Sequence, residues 1–240
     1  MQNIVIFLTA CVNPHGMSNT LLVEPTVRLK QYLDAINFYI KHTDNNIVIV
    51  ENSGYDLSRH FPSSKRTEFL SFDGNNYDKK LGKGYGEALI VEYALNNSFL
   101  LKKASAICKI TGRNIVRDIS KRVKMYESHA SQVIAMLDVK RKFLTAKCIC
   151  CPTIFWTDYF LPNKQLINDS EHIFFENILY QSLKKWLTDG RELDWIILPI
   201  PVDGISGTSG KSVTVSLFNY CKMICSSSIS FLFYKLFNKI

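Results

Sequence analysis

Lys79 to Val116, KKLGKGYGEALIVEYALNNSFLLKKASAICKITGRNIV, is the stretch from which the rest of the chain can be ordered. Lys79, Lys80, Gly82, Lys83, Gly84 and Gly86 open an apolar run from Tyr85 to Leu95. Ala88, Leu89, Val91, Ala94 and Leu95 leave almost no polar side, so the helix predicted there is internal. Ala106 to Ile110 is a short buried-strand pattern, interrupted by Lys109 and ending in Thr111-Gly112-Arg113. The unit reads loop–helix–strand–loop, with basic groups near both loops. Strand ends and helix N-termini are where open α/β proteins hold charged ligands. The glycines recur at every second position, unlike a dinucleotide fingerprint. They make either a phosphate cradle or a tight packed turn with exposed lysines.

Towards the N-terminus, Ile4 to Ala10 reads as a core strand, followed by the loop Cys11-Val12-Asn13-Pro14-His15-Gly16. Val27, Tyr32, Ala35, Phe38 and Tyr39 give one face of a helix over roughly 23–40, with Pro25 near its start. Ile47 to Val50 is a second strand, and it delivers Glu51 at its carboxyl end. Such an acid either meets a ribose or base donor or is a turn residue. After a polar loop, Glu68 to Phe72 makes a third strand.

Beyond the opening unit, Arg117, Lys121, Arg122 and Lys124 form a basic helical stretch. Val133 to Leu137 reads as a fifth strand ending in Asp138, with Lys140, Arg141 and Lys142 next. Thr145 to Pro152 and Ile154 to Trp156 are strand-like. Asp169-Ser170-Glu171 precedes a helix whose buried face is Ile173, Phe174, Ile178, Leu179, Leu183 and Trp186. Spacing alone favours a helix cap for these acids. Trp195 to Ile200 is a last apolar strand, marked as an edge by Pro199 and Pro201. Gly204 to Ser212 only looks like a phosphate loop, because Ile205 stands where the Walker spacing needs glycine. It is predicted to be a Ser/Gly loop carrying Lys211 over a site mouth.

The chain has 240 residues, a 47% hydrophobic fraction and a formal net charge of +8. That is enough for one large α/β domain, and the charge favours anionic ligands or surfaces. The basic residues are not interleaved into a nucleic-acid motif, which argues against that partner. Seven cysteines without a spaced framework predict reduced, buried thiols and no zinc finger. No basic segment leads an apolar one into a cleavage site, so the expectation is a cytoplasmic protein. Residues 213–240 are apolar with scattered lysines, too serine-rich to span a bilayer. They suit core covering or the surface of an anionic membrane.

Several pieces, in this order, resemble bacterial glycosyltransferases of the nucleotide-sugar-binding, GT-A-like type. They are the first strand with its ACVNP loop, VIVENSG, LGKGYGEALIVEYAL with KITGR, LDVKRKF, NDSEHIFFENIL and PVDGISGTSGK. The likeness is closest to small enzymes of capsule or lipopolysaccharide assembly. It covers residues 1–212, taken as the nucleotide-sugar-binding domain, with 213–240 a C-terminal extension. It implies a Rossmann-related α/β fold, with a mostly parallel or mixed central sheet flanked by helices and an apolar helical tail. It implies a UDP-sugar or similar nucleoside-diphosphate sugar as donor, and a glycan or lipid-linked acceptor at the inner face of a membrane. Ala10 and Val12 would belong to the nucleotide-sugar site, Glu51 would lie by the nucleoside, and Lys83 and Arg113 near the donor or its diphosphate; Lys140, Arg141 or Lys211 would stabilise the leaving diphosphate directly where no metal does. Glu171, with Asp169 in reserve, would take the acceptor proton. Asp138 would serve a divalent cation, Mg²⁺ or Mn²⁺. It lacks the paired carboxylate of a D-x-D motif, since Val139 and Lys140 follow it, and metal use is left open at this stage.

Overall fold

The computed structural model describes residues 3–14, 16–17, 20–128, 132–196, 199–207, 209–213 and 217–237. The β-branched apolar runs become strands buried on both faces, as parallel sheets require. β1 (Ile4–Ala10), β2 (Asn46–Glu51), β3 (Thr67–Ser71) and β4 (Ala106–Thr111) are parallel neighbours. β5 (Ile115–Val116) follows the turn at Arg113, and β6 (Val133–Ala135) returns to the main sheet. β7 (Leu137–Asp138) and β8 (Phe143–Leu144) form a small hairpin. β9 (Cys148–Pro152) runs antiparallel between β4 and β6, and β10 (Leu193–Trp195) lies parallel beside β6. β11 (Val202–Asp203) pairs with β5. The main sheet thus has seven strands in the order β3-β2-β1-β4-β9-β6-β10.

The helices are α1 (Pro25–His42), α2 (Gly82–Asn97), α3 (Phe99–Lys102), α4 (Ile119–Ser128), α5 (Phe175–Thr188) and α6 (Leu217–Phe237). One face of the sheet packs on α2 and α5, through Val5, Phe7, Ala88, Val91, Ile178 and Leu183 among others. The other packs on α1 and α4, through Ile6, Leu8, Ala35, Tyr39, Val123 and Tyr126. The expected mixed α/β sheet flanked by helices is therefore present.

Several local expectations change. Ile154 to Trp156 is helical rather than extended: Phe155, Trp156, Tyr159 and Phe160 recur at helical spacing and pack under α5, Phe155 against Trp186 and Phe160 against Phe175. The run from Val133 breaks after Ala135, because Leu137 and Asp138 leave the sheet to pair with Phe143 and Leu144. The last strand ends at Trp195, and residues 197–198 lie outside the described residues. Cys108 and Cys150 share a register position of the antiparallel β4–β9 ladder, and their sulfurs face each other inside the sheet with Cys148 beside them.

α6 lies against the β10 edge. Trp195 stacks near Phe231 and Tyr234, and its Nε1 donates to Ser227 Oγ at 3.2 Å. Among the described residues no helix is long and apolar enough to cross a membrane.

One buried hydroxyl ties α1 to the turn after β4. Tyr39 Oη donates to the Asn114 carbonyl at 2.7 Å and accepts from the Val116 N–H at 2.9 Å. Both backbone groups lose their partner in Tyr39→Phe, which should destabilise the fold by about 1–3 kcal/mol. Thermal or urea unfolding measures the loss, and an unchanged midpoint would show that the bridge contributes nothing.

Candidate functional site

The carboxyl ends of β1, β2 and β4 open onto one cleft. Thr9, Ala10 and Cys11 come from β1 and the residue after it; Asn52 follows β2; Thr111 and Arg113 follow β4. α2 adds Lys83, Gly86, Glu87 and Ile90, which share a helical face by their spacing of three and four. Arg28 and Tyr32 of α1, Asn75, Tyr77 and Gly207 complete the main walls.

Glycine shapes two of these approaches. A Cβ on Gly112 would lie 2.6 Å from the Thr9 carbonyl, so only glycine lets the chain fold across the end of β1 and turn Arg113 inward. Gly82, at φ +80°, leaves room for the Asp169 carboxylate, which a Cβ there would meet at 2.1 Å. Asp169 accordingly faces the backbone N–H groups of Lys83 and Gly84 at the start of α2. The glycine run is thus a packed turn whose helix N-terminus already carries a carboxylate, and the cleft is reached by the side of the first turns instead.

The cleft floor is an ion pair. Lys109, fully buried in β4, bonds Glu87 of α2 and also donates to the Ala146 carbonyl at 3.1 Å. Thr9 Oγ1 donates to the same Glu87 oxygen at 3.0 Å. Glu176 stands nearby; burial, reinforced by Glu87, raises its pKa. Burial likewise raises the pKa of Asp169 and lowers that of Lys83, each opposed by the other's charge.

Two guanidinium groups stand over this floor. Arg28, only 5% exposed, donates to the carbonyls of Cys11 at 2.8 Å and Leu22 at 3.0 Å, and to Tyr32 Oη. Arg113 donates to the Ile205 carbonyl at 2.8 Å and to Gln31 Oε1 at 3.5 Å, and its buried Nε has no partner. Every acceptor is neutral, and neither arginine makes an ion pair among the described residues. Asn52 Oδ1 and Asn75 Oδ1 are also buried without donors. Unpaired atoms of both kinds, a donor and two acceptors, therefore line one cleft.

Of the residues singled out from sequence, Ala10, Lys83 and Arg113 line the cleft. Glu51 does not: it is fully buried and accepts from the N–H groups of Val12, Ser53 and Tyr55, each at 2.8 Å. Its carboxylate, with Val12, holds the loop after β1 in place. Asp138 is half exposed in the β7–β8 turn, accepts the Arg141 N–H and lies outside the cleft. Glu171 is exposed in a short turn capped by Asn168, not by Asp169. Lys211 is exposed; its loop reaches the cleft through Gly207, whose carbonyl accepts the Leu21 and Leu22 N–H groups. Four basic and acidic groups were expected to converge; Lys83 and Arg113 do, while Asp138 and Glu171 sit elsewhere. Sequence reading missed Arg28, Asn52, Asn75 and Glu87. Glu87 carried a visible signal, an acid on an apolar helix four residues after Lys83.

No protein-family model matches the chain, and no curated protein matches it significantly in sequence. Solved structures do match. A protein from Desulfovibrio desulfuricans G20 assigned as a nucleotide-diphospho-sugar transferase is 11% identical, over 82% of this chain and 80% of its own, with a TM-score of 0.48. The mannosyltransferase Ktr4p from S. cerevisiae is 8% identical over 84% and 70%, with a TM-score of 0.46. The bifunctional glycosyltransferase WbbM is 12% identical over 95% of this chain, with a TM-score of 0.50; the chain spans 44% of its length. At such identities the likeness is one of architecture: the chain has the GT-A-like α/β fold.

Proposed function

We propose that the chain is a glycosyltransferase that moves a hexose from a nucleoside-diphosphate sugar, a UDP-sugar, to a hydroxyl of a surface-polysaccharide or lipid-linked glycan. The observation that carries this reading is the pair of arginines, Arg28 and Arg113, held in the cleft against neutral acceptors alone. A buried cation with no counter-charge is costly, and an anionic ligand removes the cost. A diphosphate takes the unpaired Arg113 Nε and the Lys83 ammonium. Ribose hydroxyls or a base N–H would satisfy Asn52 and Asn75. The fold shared with WbbM agrees with this choice.

In this reading the leaving diphosphate departs into a set of fixed positive groups, which stabilises the charge that develops as the glycosidic bond breaks. The acceptor hydroxyl loses its proton to a carboxylate within hydrogen-bond reach. Among the described residues Glu87 is the carboxylate that lines the cleft, oriented by Lys109 and Thr9. That role moves here from Glu171 and Asp169, which lie outside the lining.

The extension fits work at the cytoplasmic face of a membrane. The outer face of α6 presents Phe218, Cys221, Lys222, Cys225, Ile229 and Leu232, and the helix has no acidic residue. An exposed apolar face with a lysine, on a chain of net charge +8, complements anionic lipid.

Incubation with UDP-sugars and, separately, nucleoside triphosphates tests the reaction class. UDP release is expected; pyrophosphate release would make the chain a nucleotidyltransferase instead. Glu87→Asp keeps a charge on Lys109 but withdraws the carboxylate, and should lower turnover roughly 100-fold with UDP affinity little changed. Full turnover in that variant removes Glu87 from the proton-accepting role. UDP affinity should also respond to pH. Burial lowers the Lys83 pKa, so the ammonium is lost at a lower pH than an ordinary lysine's. Affinity should fall roughly tenfold as pH rises through that point, and Lys83→Arg should flatten the fall. Co-sedimentation with phosphatidylglycerol vesicles should exceed that with phosphatidylcholine and drop for Ile229→Ser with Leu232→Ser. Equal recovery on both lipids would remove the membrane from the proposal.

A further inference from the structure

We infer that the cavity between α4, β10 and α6 is a second carbohydrate site, which holds a neutral stretch of the acceptor glycan apart from the donor cleft. That the glycan is an acceptor rests on the nucleotide-sugar reading above; that the cavity takes a sugar rests on its own lining.

This cavity measures about 380 Å³, against about 100 Å³ for the cleft, and falls within the range of small-molecule pockets. Four charged side chains line it: Asp118, Lys121, Arg122 and Asp194. Arg122, only 8% exposed, holds Asp118 by two bonds, Nε to Oδ1 at 2.8 Å and Nη2 to Oδ2 at 2.9 Å. Asp194 stands in register with Ile134 and so points to the α4 face of the sheet. Among the described residues neither Asp194 nor Lys121 makes an ion pair.

This charge pattern selects the occupant. Two carboxylates balance two cations, so no net charge draws an ion, in contrast to the arginine cleft. A bare hydrocarbon is disfavoured too, because it would cover four charged groups without bonding them. A neutral polyhydroxylated molecule meets both requirements: a hydroxyl donates to a carboxylate and accepts from an ammonium or guanidinium. The rest of the wall is apolar, with Met125, Trp195 and Tyr220. A sugar ring has C–H faces to lay on such a wall, and the amphipathic rings of Trp and Tyr suit a ligand that is apolar on its faces and wet at its edges.

The β5–β11 ribbon joins the two openings. Arg113 and Gly207 line the cleft at one end, and Asp118, Pro199 and Pro201 line the cavity at the other. The Arg117 N–H donates to the Pro201 carbonyl at 3.2 Å, and the Arg117 guanidinium pairs with Asp203, which fixes the ribbon between them. Asp118 follows Arg113 by five residues, so their Cα atoms lie no more than about 18 Å apart. That span suits an oligosaccharide with its reacting end in the cleft and a remote unit in the cavity.

The test is titration of the full chain with gluco-, manno- and galacto-hexasaccharides, read by tryptophan emission, with UDP binding measured separately by calorimetry. Of the three tryptophans, Trp156 and Trp186 are sealed in the core and Trp195 lines the cavity, so a change in emission reports on Trp195. A saturable change with at least one hexasaccharide is expected. Asp194→Asn and, independently, Tyr220→Ala should each weaken it at least tenfold while leaving UDP affinity within about twofold. UDP binding with no response to any hexasaccharide overturns the inference and leaves the nucleotide reading intact. A sugar response that neither variant weakens also overturns it, since the sugar then binds elsewhere. A response to farnesyl phosphate and to no sugar makes this a lipid pocket instead. A sugar response weakened by both variants in a chain that binds no UDP keeps the carbohydrate site and overturns the nucleotide reading, the acceptor role with it.

Discussion

The buried pair of Lys109 and Glu87 is the interaction on which the cleft depends. Lys109 interrupts an otherwise apolar strand and is wholly removed from water. Stripped of its partner it would be an isolated buried charge, a loss on the order of 3–5 kcal/mol. Glu87 can reach it only if α2 crosses the sheet at one height and one rotation. Thr9 joins the same carboxylate, so β1, β4 and α2 are registered against one another at a single point. The Phe175 ring lies over the ammonium, 5.0 Å from its centroid, and brings α5 to the same place.

With that floor set, the remaining walls follow from backbone constraints. The Glu51 carboxylate gathers three N–H groups and thereby shapes the loop that presents Cys11 and Asn13. Arg28 clamps the same loop from α1 by bonding the Cys11 and Leu22 carbonyls. Gly112 swings Arg113 over the end of β1. Local stability and ligand attraction are thus not separate in this cleft: the arginines that hold loops together are the ones left with unneutralised charge.

The strands, the internal helix and the joint position of Lys83 and Arg113 were legible because each depends on local pattern. Apolar runs, glycine turns and the ends of strands can be read one after another. Arg28, Asn52 and Asn75 were not, because nothing in their own neighbourhoods distinguishes them from surface polar residues; they matter through what the fold folds around them. The acids Glu51 and Asp169 were legible as special and misjudged in purpose. An acid after a strand and an acid before a helix look the same whether they meet a ligand or orphan backbone N–H groups, and only the tertiary neighbours decide. Asp138 failed for a different reason, since the chain left the main sheet two residues before it.

The seam at Gly207 has its own consequence. Its carbonyl takes the N–H groups of both Leu21 and Leu22, at 2.9 and 3.2 Å, and so stitches the loop after β11 to the loop after β1 across the mouth. The cleft beside it, open to solvent, offers about 100 Å³, well short of what a nucleotide fills. A nucleotide would therefore need the two loops to part. Two backbone bonds that water can replace are a weak fastening, so parting them to admit a large molecule costs little, and re-forming them behind it would shut solvent out.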